Sequence, residues 1–157
     1  MIISLLILIT LFGGYLLSYR FAHSLPAVEA GPMDRATYKR LIYINDNLVP
    51  SYKKSINGIS HLFRRFVVKG TCMEEKNINN GSIVNARIFN STEEKLNLKN
   101  GDVVLIYLND KKFRGYKLRC VKNVNLQDVE TFYYNKGKEI PSSKPHKLDS
   151  IIGIIEP

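Results

Sequence analysis

From residue 65 to its end the chain is a succession of short, β-branched apolar runs, each closed by a turn. The runs are RFVV, GSIVNARIF, DVVLIYL, YKLRCV, TFYY and IIGII. Between them stand Asn80-Gly81, Asn100-Gly101, Asn109-Asp110 and Lys136-Gly137. Branched side chains sit well on a pleated surface, and Asn and Gly supply the backbone conformations that tight hairpins need. The pattern predicts a mainly β fold, with a small antiparallel β domain over residues 66–157.

Other segments precede it. The first 19 residues, MIISLLILITLFGGYLLSY, carry no charged side chain. A bilayer is crossed by about 20 apolar residues, and a cleaved leader would place Lys or Arg before the run. The expectation is a retained transmembrane helix over 1–19. Arg20, Arg35, Lys39 and Arg40 follow it. The positive-inside tendency then makes this a single-pass membrane protein with its β domain in the cytoplasm. Residues 20–33 read as a linker, because Pro26, Gly31 and Pro32 interrupt any helix. Residues 34–65 read as a basic helical segment in two pieces. Asp34 would cap the first piece, with Tyr38, Leu41 and Ile42 on one face. Ile56, Ile59, Leu62 and Phe63 resume helical spacing beyond Pro50. Residues 20–66 hold eight basic and three acidic side chains. They suit either the headgroups of membrane lipid or an ordinary solvated face.

Composition narrows the chemistry. The formal charge is +9, which favours anionic surroundings without choosing among them. The cysteines are Cys72 and Cys120 alone, which make neither a disulfide framework nor a four-ligand zinc spacing. His23, His61 and His146 are scattered and read as surface residues. There is no glycine loop that would cradle a phosphate. No cofactor or metal is expected. Phe132, Tyr133 and Tyr134, with Lys136 and Lys138 nearby, could stack on bases, but an aromatic strand in a β core fits them better. Nucleic acid is therefore not expected as a partner. Asn90-Ser91-Thr92 matches a glycosylation acceptor, which matters only in a compartment that glycosylates.

One stretch carries candidate chemistry: Gly70-Thr71-Cys72-Met73, followed by Ile78-Asn79-Asn80-Gly81-Ser82-Ile83-Val84. It resembles the nucleophile segment of the signal peptidase and LexA-type serine peptidase superfamily. Three further blocks follow in that family's order. Leu98 to Val104 resembles its Gly-Asp-x-Val turn and strand. Gly115 to Val121 resembles the strand carrying the catalytic Lys (or His) and then Arg. Ile151 to Ile155 resembles its closing strand. The likeness covers residues 66–157 and implies a LexA/signal-peptidase-like β domain with a groove for a peptide or protein segment in extended conformation. It makes Cys72 the nucleophile and Gly70 and Met73 substrate-binding residues.

The departures fall on the chemistry. Cys72 stands where the family has Ser, Glu75 where it has Pro, and Leu118 where it has the base. Lys117 is one residue earlier, so a regular strand points it to the opposite face; a bulge would be needed to re-aim it as the base. A thiol is less dependent on a base than a hydroxyl is, because a few per cent ionises unaided near neutral pH. Two functions stay open: a degenerate site serving as a peptide-binding or regulatory module, and an active membrane-bound endopeptidase with Cys72 and Lys117 as its catalytic pair. Leu118 and Cys120 share a strand face, so a reversible Cys72–Cys120 bond is conceivable. LexA-like relatives also cut themselves at an Ala-Gly or Cys-Gly bond upstream of the domain. Ala30-Gly31 lies in that place here, although Pro32 restricts the backbone of Gly31.

Overall fold

The computed structural model describes residues 25–31, 50–109 and 114–156. The expected membrane helix over 1–19 and residues 34–49 of the expected helical segment lie outside them. Among the described residues no helix is long and apolar enough to cross a membrane.

The described chain is mainly β. Its strands are β1 (Ala27–Glu29), β2 (Ser51–Ile56), β3 (Ile59–Lys69), β4 (Ile83–Ile88), β5 (Val103–Asn109), β6 (Arg114–Val124), β7 (Asp128–Asn135), β8 (Lys138–Pro141), β9 (His146–Lys147) and β10 (Ile151–Ile155). One short helix, α1 (Thr92–Leu96), is capped by the Ser91 hydroxyl, which accepts from the Glu94 amide.

The sheet runs β1-β3-β4-β10-β5-β6-β7-β8, and β1 also pairs with β6. That second pairing closes a barrel of β1, β3, β4, β10, β5 and β6. Every pairing around the ring is antiparallel except the two made by β1. β1 lies parallel to β3 (Val28 opposite Val68) and parallel to β6 (Val28 opposite Tyr116). A three-residue strand thus fills the gap between two long ones.

Alternation sets the core. Phe66 and Val68 on β3, Leu105 on β5 and Tyr116, Leu118 and Cys120 on β6 point inward with Val28 and Ala30. Val104 and Ile106 of β5 point outward into a second cluster with Val121, Val129, Leu148 and Ile151. β5 is therefore buried on both faces, as its unbroken VVLI run requires.

Two sequence expectations are corrected. Residues 51–65, read as helix, form the β2–β3 hairpin, paired continuously from Ser51–Arg64 to Ile56–Ile59. The helical spacing of Ile56 and Ile59 was the spacing of a two-residue turn. Asn57 and Gly58 both have positive φ, 50° and 80°, the type I′ geometry that suits the twist of paired strands. The linker 20–33 is not wholly a connector either: its residues 27–29 are β1. The sheet therefore begins well before residue 66.

Candidate functional site

The site is built where β1 runs past the loop after β3. Gly70 has φ +110°, which turns the chain out of the strand, and its bare Cα lets the Ala30 backbone pass close: an added Cβ would stand 3.1 Å from the Ala30 carbonyl oxygen. The Gly70 amide donates to Asn80 Oδ1 at 3.1 Å. The next residues lie along the docked strand. The Ala30 amide donates to the Lys69 carbonyl at 2.8 Å, and the Cys72 amide donates to the Ala30 carbonyl at 2.9 Å. Upstream, the Val67 amide donates to the Pro26 carbonyl at 2.9 Å. Residues 26–30 are thus held as a peptide in a strand groove would be.

Beyond Ala30, Gly31 adopts φ +142° and lies directly against Cys72, where any Cβ would overlap Cys72 Sγ. Cys72 is 8 % exposed. Burial pushes its thiol up; the Arg119 guanidinium opposes this, and Glu75, Glu29 and Glu74 reinforce it. The neutral thiol is the favoured form, the reverse of an activated nucleophile.

Arg119 and Lys117 stand on the outer face of β6, opposite Leu118. Lys117 Nζ is 3.5 Å from Glu29 Oε2, and Arg119 Nη2 is 3.6 Å from Glu29 Oε1. Arg119 Nη1 also donates to the Leu118 carbonyl at 2.7 Å, and its guanidinium lies 5.2 Å from the Tyr133 ring centre. Glu29 itself is 3 % exposed. The pairing of β5 with β6 is continuous from Val103–Cys120 to Asn109–Arg114. No bulge re-aims Lys117, so the alternation that separates it from Leu118 holds.

The same two cations, with Tyr133, Ser142, Lys144 and His146, line a cavity of about 280 Å³. His146 Nε2 is buried there without a hydrogen-bond partner. Burial, then Arg119 and Lys117, push its imidazole down to about 4. No family model, curated protein or solved structure matches the chain. A larger cavity, about 550 Å³, lies elsewhere, between β4, β10 and the Gly101 turn. It does not include Cys72.

Of the residues singled out in the sequence, Cys72 and Gly70 lie against the docked strand, in the turn after β3. Met73 is fully buried in the barrel core, where it accepts a 3.8 Å contact from Cys120 Sγ. Lys117 reaches the strand through Glu29. Cys72 and Cys120 are both free thiols, so the conceivable bond between them is absent. His61 and His146, read as surface residues, are respectively buried and half-buried. His61 Nδ1 lies 3.3 Å from Asn90 Nδ2. Glu29 was not singled out. Its signal was present all the same: it is the sole carboxylate in the first 33 residues. Among the described residues no group of three His, Cys, Asp or Glu is placed to hold a metal.

Proposed function

We propose that this chain is a membrane-anchored peptide-binding or regulatory module of signal-peptidase/LexA-like design, whose strand groove is filled by its own residues 26–31. One observation carries the reading: β1 is a three-residue strand seated parallel between β3 and β6. Without it those two strands would present free edges facing each other, and an extended polypeptide is what pairs with such edges. The buried, neutral thiol and the apolar Leu118 at the base position support binding over hydrolysis. The anchor is the uncharged run over residues 1–19, and Arg20, Arg35, Lys39 and Arg40 after it favour a cytoplasmic β domain.

A second reading, an endopeptidase that uses Cys72, draws on a different observation. The Ala30 carbonyl accepts the Cys72 amide, and Gly31 touches the thiol, which supports reading the Ala30–Gly31 bond as the substrate bond. Attack by Sγ would form a thioester at Ala30 and release Gly31 as an amine, followed by hydrolysis.

Both readings meet one experiment. Full-length chain and its Cys72→Ala variant are incubated under reducing conditions, alone and with a pool of synthetic extended peptides, and read by native and intact mass spectrometry. Uncut chain and uncut peptide are the expected result for both proteins, with peptide retained only at concentrations that compete with the tethered residues 26–31. Products made by the parent and absent with the variant, or a fragment beginning at Gly31, would move the conclusion to the peptidase.

A further inference from the structure

We infer that the β2–β3 hairpin docks on an anionic bilayer surface, with its tip isoleucines at the boundary between headgroups and acyl chains and its lysines among the headgroups. This rests on the anchor reading above and names the part of the barrel that meets the lipid.

Strand direction gives the hairpin its reach. β1 runs parallel to β3, with Ala27 opposite Val67. The chain therefore comes to Ala27 from the end towards which β3 runs back to Ile59. Seven residues, 20–26, join the uncharged run to Ala27. They span at most about 25 Å, so Ala27 stands no further than that from the end of the anchor. Ile59 precedes Val67 by eight residues, about 26 Å of strand. The hairpin is thus long enough to meet the surface from which the chain enters.

Its side chains suit that surface. Ile56 and Ile59 pair across the Asn57-Gly58 turn, and Ile59 is 59 % exposed. Lys53 and Lys54, both exposed, stand two or three residues behind Ile56, about 7–10 Å along β2. An interfacial element buries its apolar side about 5–10 Å deep, so the isoleucines sit below the headgroups when the lysines are level with them. Between Asp46 and Glu74 there is no carboxylate, while Lys53, Lys54, Arg64, Arg65 and Lys69 all fall there. Among the described residues Lys53, Lys54 and Arg65 have no ion-pair partner. Lys54 Nζ lies 6.0 Å from the Phe63 ring centre, and the Arg65 guanidinium 5.1 Å from that of Tyr52. Of the carboxylates lining the groove beside the tip, Glu94 and Glu156 are held by Arg87, and Asp102 accepts the Lys99 amide. Either an exposed isoleucine or a few lysines is ordinary on a surface. Their juxtaposition at the end nearest the anchor singles out this hairpin.

The chain has no tryptophan, so Ile59→Trp and Leu126→Trp each introduce a single indole. Leu126 is 81 % exposed and follows the far end of β6, which also runs parallel to β1, so it marks the opposite end of the barrel. Full-length chains are placed in lipid nanodiscs of phosphatidylcholine alone and of a two-to-one phosphatidylcholine–phosphatidylserine mixture. In the anionic discs the indole of Ile59→Trp emits at shorter wavelength and is quenched by brominated lipid; that of Leu126→Trp does neither. Adding Lys53→Gln and Lys54→Gln lowers the docked-to-free ratio about 25-fold, at about fivefold per cation. In the unmutated chain, acetylation of Lys53 and Lys54 by a water-soluble ester is at least about fivefold slower in anionic than in neutral discs, and that of Lys122 is unchanged. This second readout decides should Ile59→Trp not fold. A water-exposed indole and unaltered acetylation, in chains that co-purify with the discs, overturn the hairpin and leave the anchor reading intact. A chain that co-purifies with neither disc overturns both. Acetylation slowed by a mixed-sequence oligonucleotide in neutral discs, and not by phosphatidylserine, overturns a lipid partner.

Discussion

The amide of Cys72 donates a 2.9 Å hydrogen bond to the carbonyl oxygen of Ala30, and the Cys72 thiol is covered by the next residue, Gly31. The residue that most resembles a nucleophile is thereby the residue that fastens the chain's own strand. One contact ties barrel closure, thiol burial and groove occupancy together, so a change at any of the three should be felt at the other two.

Gly31 is the sharpest place to test this. Gly31→Ala introduces a Cβ into the space of Cys72 Sγ at a φ of +142°, which L side chains rarely adopt. The cost should be about 2–4 kcal/mol. Urea unfolding measures it. Iodoacetamide labelling at pH 7 supplies the second readout: Cys72 reacts slowly in the parent and faster in Gly31→Ala, because releasing the strand uncovers the thiol and removes the burial that keeps it neutral.

Arg119→Lys should not behave as a conservative change. It keeps the charge near Glu29 but loses the planar group over Tyr133 and the Nη1 bond to the Leu118 carbonyl. A loss of about 1–2 kcal/mol is expected. Arg119→Met removes the charge as well and should cost more, since it takes a partner from a buried carboxylate. Pairing Arg119→Met with Glu29→Leu should recover part of that loss, and a double-mutant cycle by chemical denaturation reads the coupling.

The imidazole of His146 should titrate at about 4 in the folded protein, well below its ordinary 6.5. Burial is the main cause, with Arg119 and Lys117 adding to it. The folded state therefore resists protonation that the unfolded chain accepts. The stability associated with neutral His146 is complete above pH 6.5 and is lost as pH falls from there to about 4. Ring-proton NMR gives the titration directly. In urea midpoints against pH, His146→Phe should show a shallower acid slope than the parent.

Gly58→Ala isolates the β2–β3 turn. A Cβ at Gly58 meets nothing within 4 Å, so only its φ of +80° is at stake. A penalty of about 1 kcal/mol follows from the left-handed backbone alone. Thermal unfolding with no change in Cys72 labelling is the expected result, because the turn lies away from the groove.

Much of the barrel was legible in the chain. β-branched runs and Asn-Gly turns announced β4, β5, β6, β7 and β10, since side-chain period and turn chemistry are local properties. The same locality misled at residues 51–65. Ile56 and Ile59 satisfy helical spacing as well as they flank a two-residue turn; the Asn57-Gly58 turn between them and the cross-strand stack of Tyr52 on Phe63, 5.3 Å between ring centres, make the segment a hairpin. Cys72 and Gly70 could be singled out because their neighbours form a pattern in sequence, and the opposition of Lys117 to Leu118 followed from strand alternation. Glu29 and the docking of Ala27–Glu29 could not be foreseen in that way. A three-residue strand has almost no local preference, and its place comes from two edges supplied by β3 and β6, about 40 and 90 residues further along the chain. By itself the sequence determined most of the strands beyond residue 65 and which residues carried reactive groups. The tertiary structure alone decided that the groove beside Cys72 is occupied, because that depends on pairing between segments remote in the chain.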